Sequence, residues 1–123
     1  MGELKVKRIF LPPEAPDGRR ILVDRLWPRG ISKEMAALDE WAKDAAPTSA
    51  LRKWFGHDPK RFEEFAFLYR KELNENPTAS ELAARCWERL ETENVTLLYA
   101  AQSDTCNHAI VLKEWLLQKM PLG

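Results

Sequence analysis

The sequence predicts an α/β fold, a single small domain with a short, mostly parallel sheet flanked by helices. Three observations lead there. Ile21-Leu22-Val23 and Val95-Thr96-Leu97-Leu98-Tyr99-Ala100-Ala101 are continuous apolar runs, the pattern of strands covered on both faces. Two amphipathic helical stripes lie between them. A third helical segment follows the second run, so strands and helices alternate as they do around parallel pairs. If the two runs are central parallel neighbours, their exits lie side by side. Asp24, Arg25, Trp27 and Arg29 then face Gln102, Ser103, Asp104, Asn107 and His108.

The elements follow in order. Leu4 to Phe10 starts with apolar–polar alternation, as a half-buried strand does. Pro12 to Gly18 cannot extend a ladder and reads as an exposed loop. Arg20 to Asp24 is the second strand. Ser32 caps a short helical turn from Lys33 to Ala37. Leu38 to Ala45 fits helical spacing, yet Ala46-Pro47 ends it soon, so helix and strand both stay open. Thr48 or Ser49 caps a short helix through Trp54, terminated by Gly56. Asp58-Pro59 opens the next helix, with Phe62, Phe65, Ala66, Tyr69 and Leu73 as its buried stripe. Asn76-Pro77 stops it. Thr78 with Glu81 forms a capping-box pattern for a helix lined by Leu82, Ala83, Cys86, Trp87 and Leu90. After the second apolar run, Asp104 or Thr105 caps the last helix, with Ile110, Val111, Trp115 and Leu116 inward.

The 123 residues suit one domain, 1–123, that buries roughly two-thirds of its unfolded surface. Lys+Arg and Asp+Glu are both 19. That balance gives no support to a general nucleic-acid partner, which carries a basic excess. No apolar run approaches the ~18 residues of a membrane span, and the first residues lack the apolar core of a signal peptide. A cytoplasmic protein without a membrane partner is the expectation. Cys86 and Cys106 form no Cys-x-x-Cys pair; Cys86 falls on an inward helical stripe as a packed thiol. His57, His108, Asp104 and Cys106 lack metal-ligand spacing, so no metal is expected. There is no Gly-x-Gly-x-x-Gly, phosphate-binding Walker loop or Gly-x-Ser-x-Gly elbow, and no cofactor is expected.

Three constellations carry candidate chemistry. Arg25, Arg29 and Arg52 are guanidinium forks suited to phosphates and carboxylates; beside a helix start they form an anion site, whereas taken singly they close salt bridges to Asp24 or Asp58. His57 follows a turn-forming glycine and is placed as a general base, oriented by Asp58 or Asp24; alternatively Asp58 only caps and His57 only bonds a carbonyl. His108 falls in the first turn of the final helix, where the dipole favours neutral imidazole. Cys106 and His108, two apart, do not face each other on a helix.

Leu22 to Glu34, Ala46-Pro47, Leu51 to Pro59, Leu97 to Ala101 and Asn107-His108-Ala109 together resemble the YeaO-like family of small bacterial and archaeal proteins, the domain of unknown function 488 family. The resemblance spans Val6 to about Leu116. It implies a small α/β domain and brings no established activity. Some members carry a uroporphyrin methyltransferase label, but no glycine-rich loop for a methyl donor is present here. The family's characteristic polar positions correspond to Asp24, Arg25, Arg29, Lys33, Arg52, His57, Asp58, Asn107 and His108. Longer relatives have Cys-His-Arg where this chain has Asn107-His108-Ala109, so the histidine is kept and the thiol is not.

Two functional readings follow. In the first, a pocket at the strand exits binds a small anionic molecule, phosphate or carboxylate. Arg25, Arg29, Arg52 and Asn107 would be its ligand-binding residues and Trp27 and Trp54 its walls. His57, His108 and Asp24 would be acid/base candidates. In the second, the same groups form a non-catalytic module for a nucleotide or nucleic-acid end, because arginine with tryptophan also suits phosphates and stacked bases.

Overall fold

The computed structural model describes residues 1–120. Its elements are β1 (Leu4–Arg8), β2 (Arg19–Leu22), α1 (Lys33–Ala36), β3 (Glu40–Trp41), α2 (Ser49–Phe55), α3 (Phe62–Asn74), α4 (Pro77–Leu90), β4 (Val95–Tyr99) and α5 (His108–Gln118). The sheet runs β1-β4-β2-β3 and every pairing is parallel. Ile21 lies opposite Leu97 and Leu22 opposite Leu98, so the two apolar runs are indeed central neighbours. The fold is α/β.

Both sheet faces are covered, but unequally. Leu4, Ile21, Val23, Val95, Leu97 and Tyr99 point into the main core, which the longer helices close. Ile9, Leu22 and Leu98 point the other way, onto Ala36 and the partly buried Trp27, Ile31 and Leu38. Two-sided cover is why neither central strand alternates in sequence. Tyr69 and Trp87 bury their rings and satisfy their polar tips. Tyr69 donates to the Ala45 carbonyl at 2.6 Å and Trp87 to the Leu116 carbonyl at 3.0 Å. Burial holds the Tyr69 phenol well above its usual pKa.

Several boundaries differ from the sequence reading, each for a local reason. Leu38 to Ala45 resolves into the two-residue β3 and a 3-10 turn at Lys43–Ala45. Asp58-Pro59 starts a 3-10 turn, Pro59–Arg61, that runs straight into α3. The cap of α4 is Asn76, whose side chain accepts from Thr78 N, rather than Thr78. The cap of α5 is Asn107, not Asp104 or Thr105. Ser103 Oγ accepts from both Thr105 N and Cys106 N, and that turn delays the helix. Ile110 is only half-buried.

The loop from Pro12 to Gly18 is exposed apart from its end. It contains a 3-10 turn at Ala15–Asp17, and Asp17 is buried. Gly18 follows with φ 61°, and a Cβ there would lie 2.0 Å from the Asn94 carbonyl oxygen. Only glycine lets the chain pass so close to the start of β4. Among the described residues, no helix is long and apolar enough to cross a membrane.

Candidate functional site

The parallel β2–β4 pair delivers its two exits to one place, and a cleft of about 790 Å³ opens there. This is where ligands sit in open α/β sheets. Asp24, one residue beyond Val23, ties the exits together: its Oδ2 accepts from Ala100 N at 3.2 Å. Its Oδ1 lies 2.9 Å from His108 Nε2, which is also 3.0 Å from the Val23 carbonyl. Two oxygen acceptors facing Nε2 require the proton on that nitrogen, which leaves Nδ1 as the acceptor of the neutral ring. Only the carbonyl is well aligned with that N–H, so Oδ1 is buried without a well-aligned partner of its own. The Val23 carbonyl therefore holds the His108 N–H, and Asp24 only stands beside that ring. Asp24 makes no contact that would orient His57.

His108 is placed by the start of α5. Asn107 is buried; its Oδ1 accepts from Ile110 N at 3.1 Å and its Nδ2 donates to the Ser103 carbonyl at 2.9 Å. The Tyr69 ring stands edge-on to the His108 ring, with centroids 6.5 Å apart.

The three arginines all line this cleft, in different states. Arg25 is half-buried and donates through Nε to the Pro47 carbonyl and through Nη2 to the Ala46 carbonyl. It fixes the segment leading to α2. Arg29 and Arg52 are exposed. Among the described residues their guanidinium groups have no carboxylate within ion-pairing distance; the salt-bridge alternative to Asp24 or Asp58 is not formed.

His57 also lines the cleft and is exposed. Its φ of 59° follows a Gly56 φ of 54°, two left-handed residues in a row. Asp58 does not orient it. That carboxylate accepts from Lys60 N at 3.0 Å and pairs with Arg61 at 3.7 Å. Asp104 is exposed and outside the lining.

The tryptophans separate. Trp27 lines the cleft, donating to the Ile31 carbonyl at 2.9 Å with its ring edge against Trp41. Trp54 is not in the lining: Arg61 lies over its ring and donates to its carbonyl. Phe55 and Phe65 also touch the cleft, though nothing in the sequence marks them as site residues. They stack 4.3 Å apart at 17°. In sequence Phe65 is an ordinary member of a helical core stripe and Phe55 only precedes the turn at Gly56; the junction of α2 with α3 brings both to the strand exits.

Neither thiol is in the lining. Cys86 is buried, and burial pushes its thiol up to about 12. Cys106 is half-buried beside Thr105. Among the described residues, no three His, Cys, Asp or Glu side chains are grouped to hold a metal ion.

Residues 3–121 match the sequence model of a family described as DUF488-N3i, "Inactive DUF488-N3 subclade". The chain is 42% identical over 113 residues to "Uncharacterized protein YeaO" of Escherichia coli (strain K12), covering 92% of this chain and 96% of that protein. It is 37% identical over 113 residues to "Uncharacterized protein Rv3073c" of Mycobacterium tuberculosis (strain ATCC 25618 / H37Rv), covering 92% of each. "Uncharacterized protein Mb3100c" of Mycobacterium bovis (strain ATCC BAA-935 / AF2122/97) is similar to the same extent. No solved structure matches the chain.

Proposed function

We propose that this chain, which belongs to the YeaO-like DUF488 family, binds a small phosphate- or carboxylate-bearing molecule in the cleft without transforming it. The observation that carries the reading is the pair of guanidinium groups, Arg29 and Arg52, that have no carboxylate partner among the described residues, on one cleft with the start of α5. Guanidinium forks and the amides of a helix start favour the same ligand charge.

Several groups that could perform chemistry are engaged elsewhere. The residue before His108 is Asn107, whose amide is occupied on both sides by the cap of α5 and the Ser103 carbonyl. Ser103 Oγ is held by two backbone amides. No cysteine lines the cleft. The word "Inactive" in the family's description agrees with that inventory.

One contact favours a second reading, acid/base catalysis on the bound anion: the 2.9 Å approach of Asp24 to His108. A carboxylate close beside an imidazole N–H is a setting in which a general base works. The nucleotide-stacking alternative has less support, because Trp54 lies outside the cleft.

A thermal-shift and calorimetric panel of small organic phosphates and carboxylates tests the reading. At least one should raise the melting temperature in a concentration-dependent way. The Arg29→Ala/Arg52→Ala double variant should weaken its binding by roughly a hundredfold, from two charge-assisted contacts. No ligand in the panel, or unchanged affinity in the double variant, ends it. Turnover of a bound ligand that disappears in His108→Ala would replace it with the catalytic reading.

A further inference from the structure

We infer that the cleft's ligand carries two negative charges, matched by Arg29 and Arg52, as a phosphate monoester or a dicarboxylate does. This deepens the anion-binding reading and rests on it.

The chain as a whole is electrically balanced, with 19 basic and 19 acidic residues. The cleft is not. Its lining holds three arginines and one carboxylate, Asp24. That carboxylate is offset from within the fold. Asp24 and Arg25 both lie close enough to the buried Tyr69 phenol to act on it, one raising its pKa and the other lowering it. Asp24 Oδ1, which has no hydrogen-bond partner, is buried beside His108 and takes no part at the mouth. Arg25 is occupied by two carbonyls. The charges left in excess are Arg29 and Arg52, both exposed. Asp58 and Asp104 do not cancel them: Asp58 pairs with Arg61, and Asp104 lies outside the lining.

The two guanidinium groups come from separate places. Arg29 follows β2 and Arg52 sits on α2, so neither owes its position to the other. One guanidinium fork takes both oxygens of a carboxylate in paired hydrogen bonds. A monocarboxylate is therefore used up by one arginine and leaves the other unmatched. A phosphate monoester offers three terminal oxygens and a dicarboxylate four, enough to meet both forks. Inside a cleft, low-dielectric walls weaken screening, so a second charge on the ligand counts for more than on an open surface. His57 is exposed on the same lining and has no hydrogen bond or ion pair among the described residues, which adds a further N–H for the same ligand. A volume of about 790 Å³ leaves room for an organic body behind the charged groups.

The test is calorimetric titration of the full chain with two pairs of probes, each pair alike in shape and different in charge: butyl sulfate with butyl phosphate, and butyrate with succinate. Titrations run at fixed ionic strength and at about pH 8, above the second ionisation of a phosphate monoester at roughly 6. The doubly charged member should bind roughly tenfold or more tightly than its singly charged counterpart, from the second charge-assisted contact. A preference in either pair upholds the inference, and the pair that shows it tells phosphate from carboxylate. Arg29→Ala and Arg52→Ala, taken singly, should each weaken the preferred dianion about tenfold. Each should weaken the matching monoanion no more than about twofold, because a single charge can use whichever fork remains. Monoanions that match their dianions in both pairs overturn the second charge and leave the anion reading standing. A dianion preference that survives both single substitutions overturns its assignment to Arg29 and Arg52. No binding by any probe overturns both readings.

Discussion

Arg20 and Arg52 are the same side chain in opposite circumstances. Arg20 is buried on the lightly covered face of the sheet. Its Nη1 donates to Asp17 Oδ2 at 2.6 Å, and its Nη2 and Nε donate to the Ala36 carbonyl at 2.8 and 3.2 Å. Asp17 also takes Lys7 Nζ at 3.0 Å and the Glu14 amide at 3.0 Å. Every charge in that cluster has an internal partner. Arg52, on the exposed surface of α2, has none among the described residues, and neither does Arg29. Residue type does not distinguish an arginine that holds the fold from one available to a ligand. The neighbours do: partnered and buried in one case, unpartnered and converging on a cleft in the other.

The largest effect that separates the two regions should come from Asp17→Ala. It leaves the buried Arg20 with backbone carbonyls but no counter-charge, while Lys7 keeps Glu14 at 2.9 Å, and removing one partner of a buried ion pair costs about 3–5 kcal/mol. Urea unfolding measures it, and phosphate affinity at the cleft should stay unchanged. The same cluster sets an acid limit. Burial alone would raise the Asp17 carboxyl, but the Glu14 amide, Lys7 and Arg20 outweigh it and hold the group below its ordinary 3.8. Its stabilisation is therefore complete above that value and is lost as pH falls from there through the lower folded value. Asp17→Asn should flatten this part of the acid limb of a stability–pH curve. An unchanged limb would show that Asp17 is not its source.

A smaller loss is expected at the boundary between fold and site. Asn107→Ala removes the cap of α5 and the donor to the Ser103 carbonyl. A lost cap of this kind costs about 1–2 kcal/mol. Asn107→Ser, which caps through a hydroxyl, should recover most of it in the same urea experiment. The His108 ring resonances should move in the alanine variant and return in the serine one, because the cap sets where α5 begins. Ring signals indifferent to both changes would separate Asn107 from the placement of His108.

How much of this was legible in sequence divides along the same line. The β2–β4 pairing was readable because two-sided burial leaves continuous apolar runs, and from it followed the convergence of Asp24, Arg25, Trp27 and Arg29 with Gln102, Ser103, Asn107 and His108 on one cleft, though not that of Asp104; Arg52 and His57 arrive on and after α2, which the pairing does not place. The start of α5 was not, because Asp104, Thr105 and Asn107 are all competent caps and the choice is made by Ser103 Oγ gathering two amides. Nor was β3: two residues have no period, and it exists only because Ile21 and Leu22 offer it an edge. The burial of Asp17 at the end of a proline-rich loop carries no local signal at all. Trp54 reads like a cleft wall until Arg61 lies over its ring, and Phe65 reads like core until the cleft is seen to open beside it.

The smallest stability effect is the sharpest contrast with Arg20. Arg29→Ala and Arg52→Ala remove no hydrogen bond or ion pair among the described residues, and each should change unfolding free energy by no more than about 0.5 kcal/mol. Arg25→Ala, in the same cleft, loses its bonds to the Ala46 and Pro47 carbonyls and should cost about 1–3 kcal/mol. Urea curves of the three variants, run side by side, rank the arginines by how far each is engaged within the fold. A loss at Arg29 or Arg52 as large as at Arg25 would mean that these guanidinium groups already have a structural duty. They could then serve an incoming anion only by abandoning it, and the case for a ready-made cationic mouth would fall with that result.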